Sequence, residues 1–276
     1  MRADYHVHTP YCGHAHGKIV QYIESAIKAG IDEIGFADHL GRYYLTQTQR
    51  RRYWDWGMNE RDITRYFAEL SELKEIYENQ IKIRVGLEVD YIEGAEDMLI
   101  PLLESCPFDF SLGSIHCLPK FGWKHLADYK EENTIRFYGE YFRTIRLALE
   151  SKIFSSIAHI DFIWRHIKWP SNQIIEELYK ELEKVVETAF RYGGTLEVNA
   201  NGYIWSKMHD VNGYDPYDYF LDLIGVNGVG ITLGSDAHEP GLVGKSFSEL
   251  ISVLKEKNIF MVSCFNEGKE KKWELS

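Results

Sequence analysis

The first residues of the chain are rich in histidine. Four of the 11 histidines lie within residues 6–16, whose sequence is HVHTPYCGHAH. An expression tag would be a contiguous histidine run, whereas these residues alternate with other types and lead into a helical pattern, so a tag is excluded. His6 and His8 are two apart on a predicted strand, and both side chains should therefore point to the same face.

Further histidines and carboxylates come at or near the ends of predicted strands. They are His14, Asp38, His39, Glu88, His116, His159, Asp236 and His238. A single histidine at a strand end is more often hydrogen bonded than a metal ligand, but a buried cluster of such groups is unfavourable unless cations organise it. Imidazole and carboxylate together favour Zn, Mn or Fe over Mg or Ca. The set predicts a metal site.

These groups are too many for one ion, because a catalytic zinc typically takes about three protein ligands and keeps one position open. We therefore expect two or three divalent transition metals. Cations about 3.5–4 Å apart lower the pKa of a bridging water and stabilise both the attacking and the leaving oxygen of an in-line displacement. That chemistry suits phosphate esters.

The elements that must position these residues alternate along the chain. Longer amphipathic stretches separate short apolar runs at residues 5–7, 33–37, 81–89, 109–115, 154–158, 195–199 and 229–234. This alternation predicts βα units around a parallel sheet, in an α/β fold. Seven such strands without a linker favour one closed or nearly closed barrel over residues 1–276, with a doubly wound open sheet as the alternative. In a barrel the carboxyl ends of the strands converge on one mouth, which would bring the candidate ligands together.

Residues 41–59 form an irregular segment after the second predicted strand. It contains Arg50, Arg51 and Arg52, followed by YWDW at residues 53–56. This composition predicts a long loop or lid over a pocket. The alternative is a solvated helix face with buried tryptophans.

Composition limits the class of protein. The 276 residues are 45% hydrophobic and 26% charged, and no apolar run approaches the ~20 residues that span a bilayer, so we expect a cytoplasmic globular protein. The four cysteines show no CxxC pairing and are expected to be reduced. The formal net charge of −11 argues against nucleic acid as the main partner and favours a small-molecule substrate. No membrane partner is expected, and nothing indicates the oligomeric state.

The order of these motifs resembles that of the PHP (polymerase and histidinol phosphatase) family. The matching segments are HVHTPYCGH at 6–14, FADH at 36–39, GLEVDY at 86–91, GSIH at 113–116, AHID at 158–161, EVN at 197–199 and GSDAH at 234–238. Within the family, HTPYCGH, GLEVDY and the overall length resemble the monofunctional histidinol-phosphate phosphatases.

The resemblance implies a distorted (β/α)7, TIM-like barrel with a trinuclear centre at its C-terminal mouth. It implies a first metal on His6, His8, Glu88 and Asp236, a second on Glu88, His116 and His159, and a third on His14, His39 and His238. The implied reaction is hydrolysis of L-histidinol phosphate, a step of histidine biosynthesis, with a metal-bridging hydroxide attacking phosphorus in line. Glu88, Asp236 and His238 are the catalytic candidates.

Candidate substrate-binding residues follow from the need for a cationic clamp on the phosphate. Arg165 lies where the family commonly places one, and Lys245, Arg42 and the arginines at 50–52 are weaker candidates. Asp90, Tyr91 and the segment 43–56 could contact the amine and imidazole of the substrate. No role is assigned to His16, His125, His166 or His209, which we expect to be partly exposed loop residues.

Three rival functions stay open. Amidohydrolases share the His-x-His strand, but many of them bridge two metals with a modified lysine where this chain has Glu88, and their last strand offers Asp alone where this chain has Asp236 and His238. A PHP phosphoesterase acting on nucleotides or another small phosphate ester would use the same metals. A metal-binding scaffold without activity is disfavoured, because every expected ligand position is filled.

Overall fold

The computed structural model describes residues 1–51, 57–129, 134–167, 172–209 and 213–276. Within these ranges seven strands form a parallel sheet in chain order, so that each strand pairs with the next one in the sequence. Its strands are β1 (Ala3–Val7), β2 (Glu33–His39), β3 (Lys82–Asp90), β4 (Phe110–Ser114), β5 (Ser156–Ile157), β6 (Thr195–Asn199) and β7 (Gly230–Gly234). Each overlaps one of the seven apolar runs of the sequence.

The sheet closes almost completely on itself. The backbone N–H of His8 donates to Ala237 O at 2.9 Å, and the N–H of Ala237 donates to His6 O at 3.3 Å, so the end of β1 meets the segment after β7. The prediction of a nearly closed barrel is confirmed, and the doubly wound open sheet is wrong.

Helices connect the strands and cover the barrel. Those of the described residues are α1 (Ile19–Lys28), α2 (Gln47–Arg50), α3 (Ile63–Ile76), α4 (Glu96–Glu104), α5 (Ile135–Ser151), α6 (Phe162–His166), α7 (Asn172–Tyr192), α8 (Ala200–Met208), α9 (Pro216–Asn227) and α10 (Phe247–Glu256). None of them is long and apolar enough to span a membrane.

A C-terminal hairpin that the sequence did not predict lies against the amino ends of the strands. It consists of β8 (Met261–Asn266) and β9 (Lys269–Glu274), paired antiparallel. Phe265 N–H donates to the buried hydroxyl of Tyr5 at 2.6 Å, and Gly268 N–H donates to Asp109 O at 2.9 Å. We call this end of the barrel the floor and the opposite, carboxyl end the mouth.

The segment at residues 41–59 is partly described. It contains a short 3-10 turn at Arg42–Tyr44 and α2, and Leu40 pairs with Met58 where the segment leaves and rejoins the barrel. Residues 52–56, including Arg52 and the YWDW sequence, lie outside the described residues. The lid role of this segment therefore stays a prediction.

Candidate metal centre

The carboxylate of Glu88 lies at the centre of the mouth, near the end of β3. It is 1% exposed and is surrounded by imidazole nitrogens of five histidines from different parts of the chain. The distances to the nearer carboxylate oxygen are 3.1 Å for His6, 3.5 Å for His8, 2.8 Å for His39, 3.4 Å for His116 and 2.9 Å for His159. One oxygen faces His6, His8 and His39, while the other faces His116 and His159. Glu88 can therefore bridge two ligand sets.

A second carboxylate, Asp236, faces His6 of β1 and His8, which directly follows β1. Its Oδ1 lies 3.7 Å from His6 Nε2 and 3.2 Å from His8 Nε2. Asp236 has a φ of 53°, a left-handed conformation that is uncommon for residues other than glycine and that concentrates at functional sites.

The burial of His8 and the state of its ring nitrogens show whether these residues fit a metal ion. The His8 ring is 0% exposed, yet within the described part of the chain neither ring nitrogen makes a well-aligned hydrogen bond, although Nε2 lies 3.2 Å from Asp236 Oδ1. Leaving such polar atoms buried and unpaired costs free energy unless a cation or another group engages them. Ligand atoms of His6, His8 and Asp236 lie within 4.8 Å of one another, as do those of His6, Glu88 and His159. The donor set fits divalent transition metals.

The outer edge of the mouth carries a more exposed histidine pair. His14 Nε2 and His238 Nε2 face each other at 3.0 Å, and the His14 ring centroid lies 5.1 Å from that of His39. The buried thiol of Cys12 also lies within 4.8 Å of both members of the pair. Cys12 was not a candidate from the sequence, although thiolates are common zinc ligands.

Burial and mutual charge set the protonation of these groups. Burial would raise the pKa of Glu88, but His39, His6 and His116 outweigh it and hold that pKa well below its usual value. Burial, together with the neighbouring histidines, lowers the pKa of His8, and burial lowers that of His39 to about 3. In His6 the carboxylates of Glu197 and Glu88 overcome burial and raise the pKa. At neutral pH the carboxylates of Glu88 and Asp236, whose pKa values are both held well below the usual range, are thus ionised, and the neutral rings of His8 and His39 can donate a lone pair.

Two carboxylates behind the cluster orient its histidines. Glu197 of β6 accepts from His6 Nδ1 at 2.7 Å with one oxygen and from the backbone N–H of His159 at 2.6 Å with the other. Asp90 accepts from His116 Nδ1 at 2.9 Å. Such bonds fix the ring and leave Nε2 facing the site.

Close packing around Glu197 depends on Gly234 of β7. A Cβ at this position would lie 1.8 Å from Glu197 Oε1, so no larger residue fits without displacing that carboxylate. The sequence carries one signal for Glu197, namely a lone acidic residue inside an apolar strand.

Asp38 is also buried, but it supports a turn. Its carboxylate accepts from Thr9 N–H at 2.6 Å and lies 3.8 Å from His8 Nδ1. Burial raises the pKa of Asp38 to about 8, against the hydrogen bonds from Thr9.

The predicted substrate-binding residues occupy different environments. Arg165 lies on α6, its side chain is 10% exposed and its Nε lies 2.5 Å from Asp161 Oδ2. Arg42 is buried in an ion pair with Asp90. Tyr91 is buried and donates to Glu96 Oε1 at 2.5 Å, while Lys245 is exposed.

Two of the four unassigned histidines lie closer to the site than expected. His125 is half-buried and its ring stacks on that of His116, with centroids 5.7 Å apart, and His166 packs on Phe162 beside them at 4.2 Å. His16 and His209 are exposed, as expected.

Comparison with known proteins identifies the family. The PHP domain profile matches residues 4–201. The chain belongs to the PHP family. The resemblance seen in the sequence motifs is confirmed, and so is the TIM-like class of fold.

Relatives within the PHP family are similar over nearly the whole chain. A Bacillus subtilis protein named "Histidinol-phosphatase" is 27% identical over 271 residues, covering 91% of this chain and 98% of its own. A Deinococcus radiodurans protein named "Probable histidinol-phosphatase" is 27% identical over 260 residues, covering 92% of each chain. Both names agree with the predicted class of enzyme, a phosphoric monoester hydrolase.

A solved structure shares the fold of this PHP chain. Histidinol phosphate phosphatase from Lactococcus lactis, in complex with zinc, L-histidinol and phosphate, superposes with a TM-score of 0.80 at 21% identity, covering 98% of each chain. At this identity the likeness supports the barrel fold described above.

Proposed function

We propose that this PHP protein is a metal-dependent phosphomonoesterase that hydrolyses L-histidinol phosphate to L-histidinol and phosphate. The observation that carries the proposal is Glu88, a fully buried carboxylate with both oxygens directed at imidazole nitrogens. Such a site has no structural benefit unless cations occupy it. The names of the relatives favour histidinol phosphate among phosphate esters.

We assign the residues for the metals as the motifs imply. His6, His8, Glu88 and Asp236 would hold one ion, Glu88 with His116 and His159 a second, and His14, His39 and His238 a third. When bound, divalent metals supply Lewis acidity and a water of lowered pKa. The carboxylates behind His6 and His116 keep these rings in the tautomer that presents Nε2 to the site.

Arg165 is the residue best placed to bind the phosphate. Its Nη2 is buried without a hydrogen-bond partner in the described residues, while its Nε forms an ion pair with Asp161. Burial opposes the charge of Arg165, but Asp161 and Asp236 raise its pKa, so the guanidinium stays protonated. A protonated, oriented guanidinium with a free N–H edge suits phosphate oxygens.

A panel assay tests the substrate. Phosphate release from L-histidinol phosphate, nucleoside monophosphates and sugar phosphates is measured in Mn- and Zn-supplemented buffer, beside amide and lactone hydrolysis. We expect the highest kcat/KM for L-histidinol phosphate. A higher value for a nucleotide would reassign the substrate, and a protein that cleaves amides but no phosphate ester would contradict the proposed reaction.

Two variants test the phosphate contact. Removing one charge-assisted hydrogen bond costs about 1.5–3 kcal/mol, so Arg165→Gln should weaken inhibition by free phosphate roughly 10- to 100-fold. Lys245→Gln removes the same charge from an exposed position and serves as the matched comparison. Unchanged inhibition in Arg165→Gln would remove this arginine from the site.

A further inference from the structure

Arg42, like Arg165, is a predicted phosphate-binding cation that forms an ion pair with a buried carboxylate of the protein. It follows β2, is 2% exposed and donates through Nη2 to Asp90 Oδ2 at the end of β3. A guanidinium held in this way is directed at another protein group.

Asp90 also contacts a candidate metal ligand, His116. Its second oxygen, Oδ1, lies 2.9 Å from His116 Nδ1 and accepts the backbone N–H of His116 at 3.2 Å. A carboxylate only accepts hydrogen bonds, so the proton of a neutral His116 resides on Nδ1. The other nitrogen, Nε2, is left facing Glu88 Oε1 at 3.4 Å.

The backbone around Arg42 is fixed to the same strands. Tyr44 donates its hydroxyl proton to Asp90 O at 2.6 Å, and Leu40 N–H donates to Glu88 O at 2.8 Å. Where the segment returns, Met58 N–H donates to His39 O at 2.7 Å. The base of the segment at residues 41–59 is thereby joined to the strands that carry His39 and Glu88.

We propose that Arg42 is a positioning residue that acts through Asp90 on His116, coupling the base of the 41–59 segment to the affinity of the centre for metal. This role replaces the direct phosphate contact expected from the sequence. The proposal rests on the proposed metal centre, but it needs no assumption about the substrate.

Zinc affinity measured by competition with a fluorescent chelator tests the coupling without substrate. Partners of metal-binding histidines typically contribute 10- to 100-fold in metal affinity. We expect Arg42→Gln and Asp90→Asn each to lower the affinity for one zinc ion about 10- to 100-fold. Arg42→Lys, which keeps the charge, should lower this affinity less.

A matched control comes from the floor of the barrel. Arg84 also ion-pairs with a buried carboxylate, its Nε lying 3.1 Å from Glu33 Oε1, but it lies at the opposite end of β3. Arg84→Gln should leave zinc affinity unchanged. An equal loss in this control would show a general effect of removing a buried ion pair and would overturn the proposal.

Kinetics at saturating zinc separate positioning from direct contact. We expect Arg42→Gln to regain kcat as zinc is raised, with KM and inhibition by free phosphate unchanged. Unchanged zinc affinity, or weakened phosphate inhibition at saturating zinc, would contradict the proposal. If histidinol phosphate proves not to be the substrate, the zinc titration still decides the role of Arg42, whereas wild-type protein that binds no zinc would defeat the metal centre itself.

Discussion

The two ends of the barrel both bury charge, but they arrange it differently. At the floor, acidic groups meet fixed cationic or hydroxyl partners: Glu33 pairs with Arg84 and accepts from Tyr5, and Asp109 pairs with Lys74 at 2.9 Å. At the mouth, imidazole nitrogens converge on Glu88 and Asp236, and within the described residues neither ring nitrogen of His8 makes a well-aligned hydrogen bond.

The same strands contribute residues to both the floor and the mouth of the barrel. On β1, Tyr5 lies at the floor and His6 at the mouth, with His8 directly after the strand. On β3, Arg84 lies at the floor and Glu88 at the mouth. Groups that are paired within the protein contribute to folding. At the mouth several imidazoles share the carboxylates of Glu88 and Asp236, an arrangement that suits a bound cation, so the difference assigns stability to the floor and chemistry to the mouth.

The largest effect is expected from Glu88→Gln at the mouth. Turnover should fall by more than ~10³-fold, about 4 kcal/mol, because this carboxylate serves two proposed metals and outer partners alone contribute 10- to 100-fold. Phosphate release and elemental analysis measure the loss, with circular dichroism as the folding control. Retention of both metal and activity would contradict the assignment of Glu88 as a metal ligand.

Glu33→Gln at the floor should lower the stability of the protein and leave turnover unchanged. Removing one partner of a buried ion pair leaves Arg84 uncompensated and should lower the free energy of unfolding by roughly 3 kcal/mol. Urea denaturation measures the change, and kcat of the folded fraction should stay at the wild-type value. A lowered kcat at saturating metal would mean that the floor is coupled to the chemistry.

Glu197→Gln should give a smaller effect at the mouth than Glu88→Gln. The carboxylate orients the His6 ring and the backbone of His159 but does not face the centre, so metal affinity should fall about 10- to 100-fold. Raising the metal concentration should restore most of the turnover. Activity that cannot be restored by added metal would place Glu197 in the reaction itself.

The smallest effects are expected from His16→Ala and His209→Ala. Both residues are exposed, and surface substitutions typically change stability by no more than about 0.5 kcal/mol. Thermal unfolding and phosphate release should match wild type in both variants. A metal equivalent lost in His16→Ala would show that the N-terminal turn contributes a second histidine to the centre.

Much of the barrel was predictable from the sequence, because parallel strands buried on both faces give continuous apolar runs. The C-terminal hairpin was not. Lys269–Glu274 has the sequence KEKKWE, and most of its side chains are exposed. Its pairing with β8 therefore depends on backbone hydrogen bonds, which leave no hydrophobic periodicity to find.

The candidate ligands were predictable for a related reason, since the strand ends of a barrel converge. The residues that orient them were harder to predict. Asp90 and Arg42 were expected to contact substrate because both are polar and lie near strand ends, but their pairing depends on the path of the chain after β2. His125 gave no signal at all, since only the folding of its loop places it on His116.

Anomalous diffraction at the zinc edge from zinc-loaded crystals tests the central claim most directly. We predict two or three peaks at the mouth, with at least one ion about 2.0–2.2 Å from a Glu88 oxygen and from histidine nitrogens. No peak should appear at the floor. Absence of zinc at Glu88, or zinc bound only elsewhere on the protein, would contradict the assignment of the mouth as the metal centre.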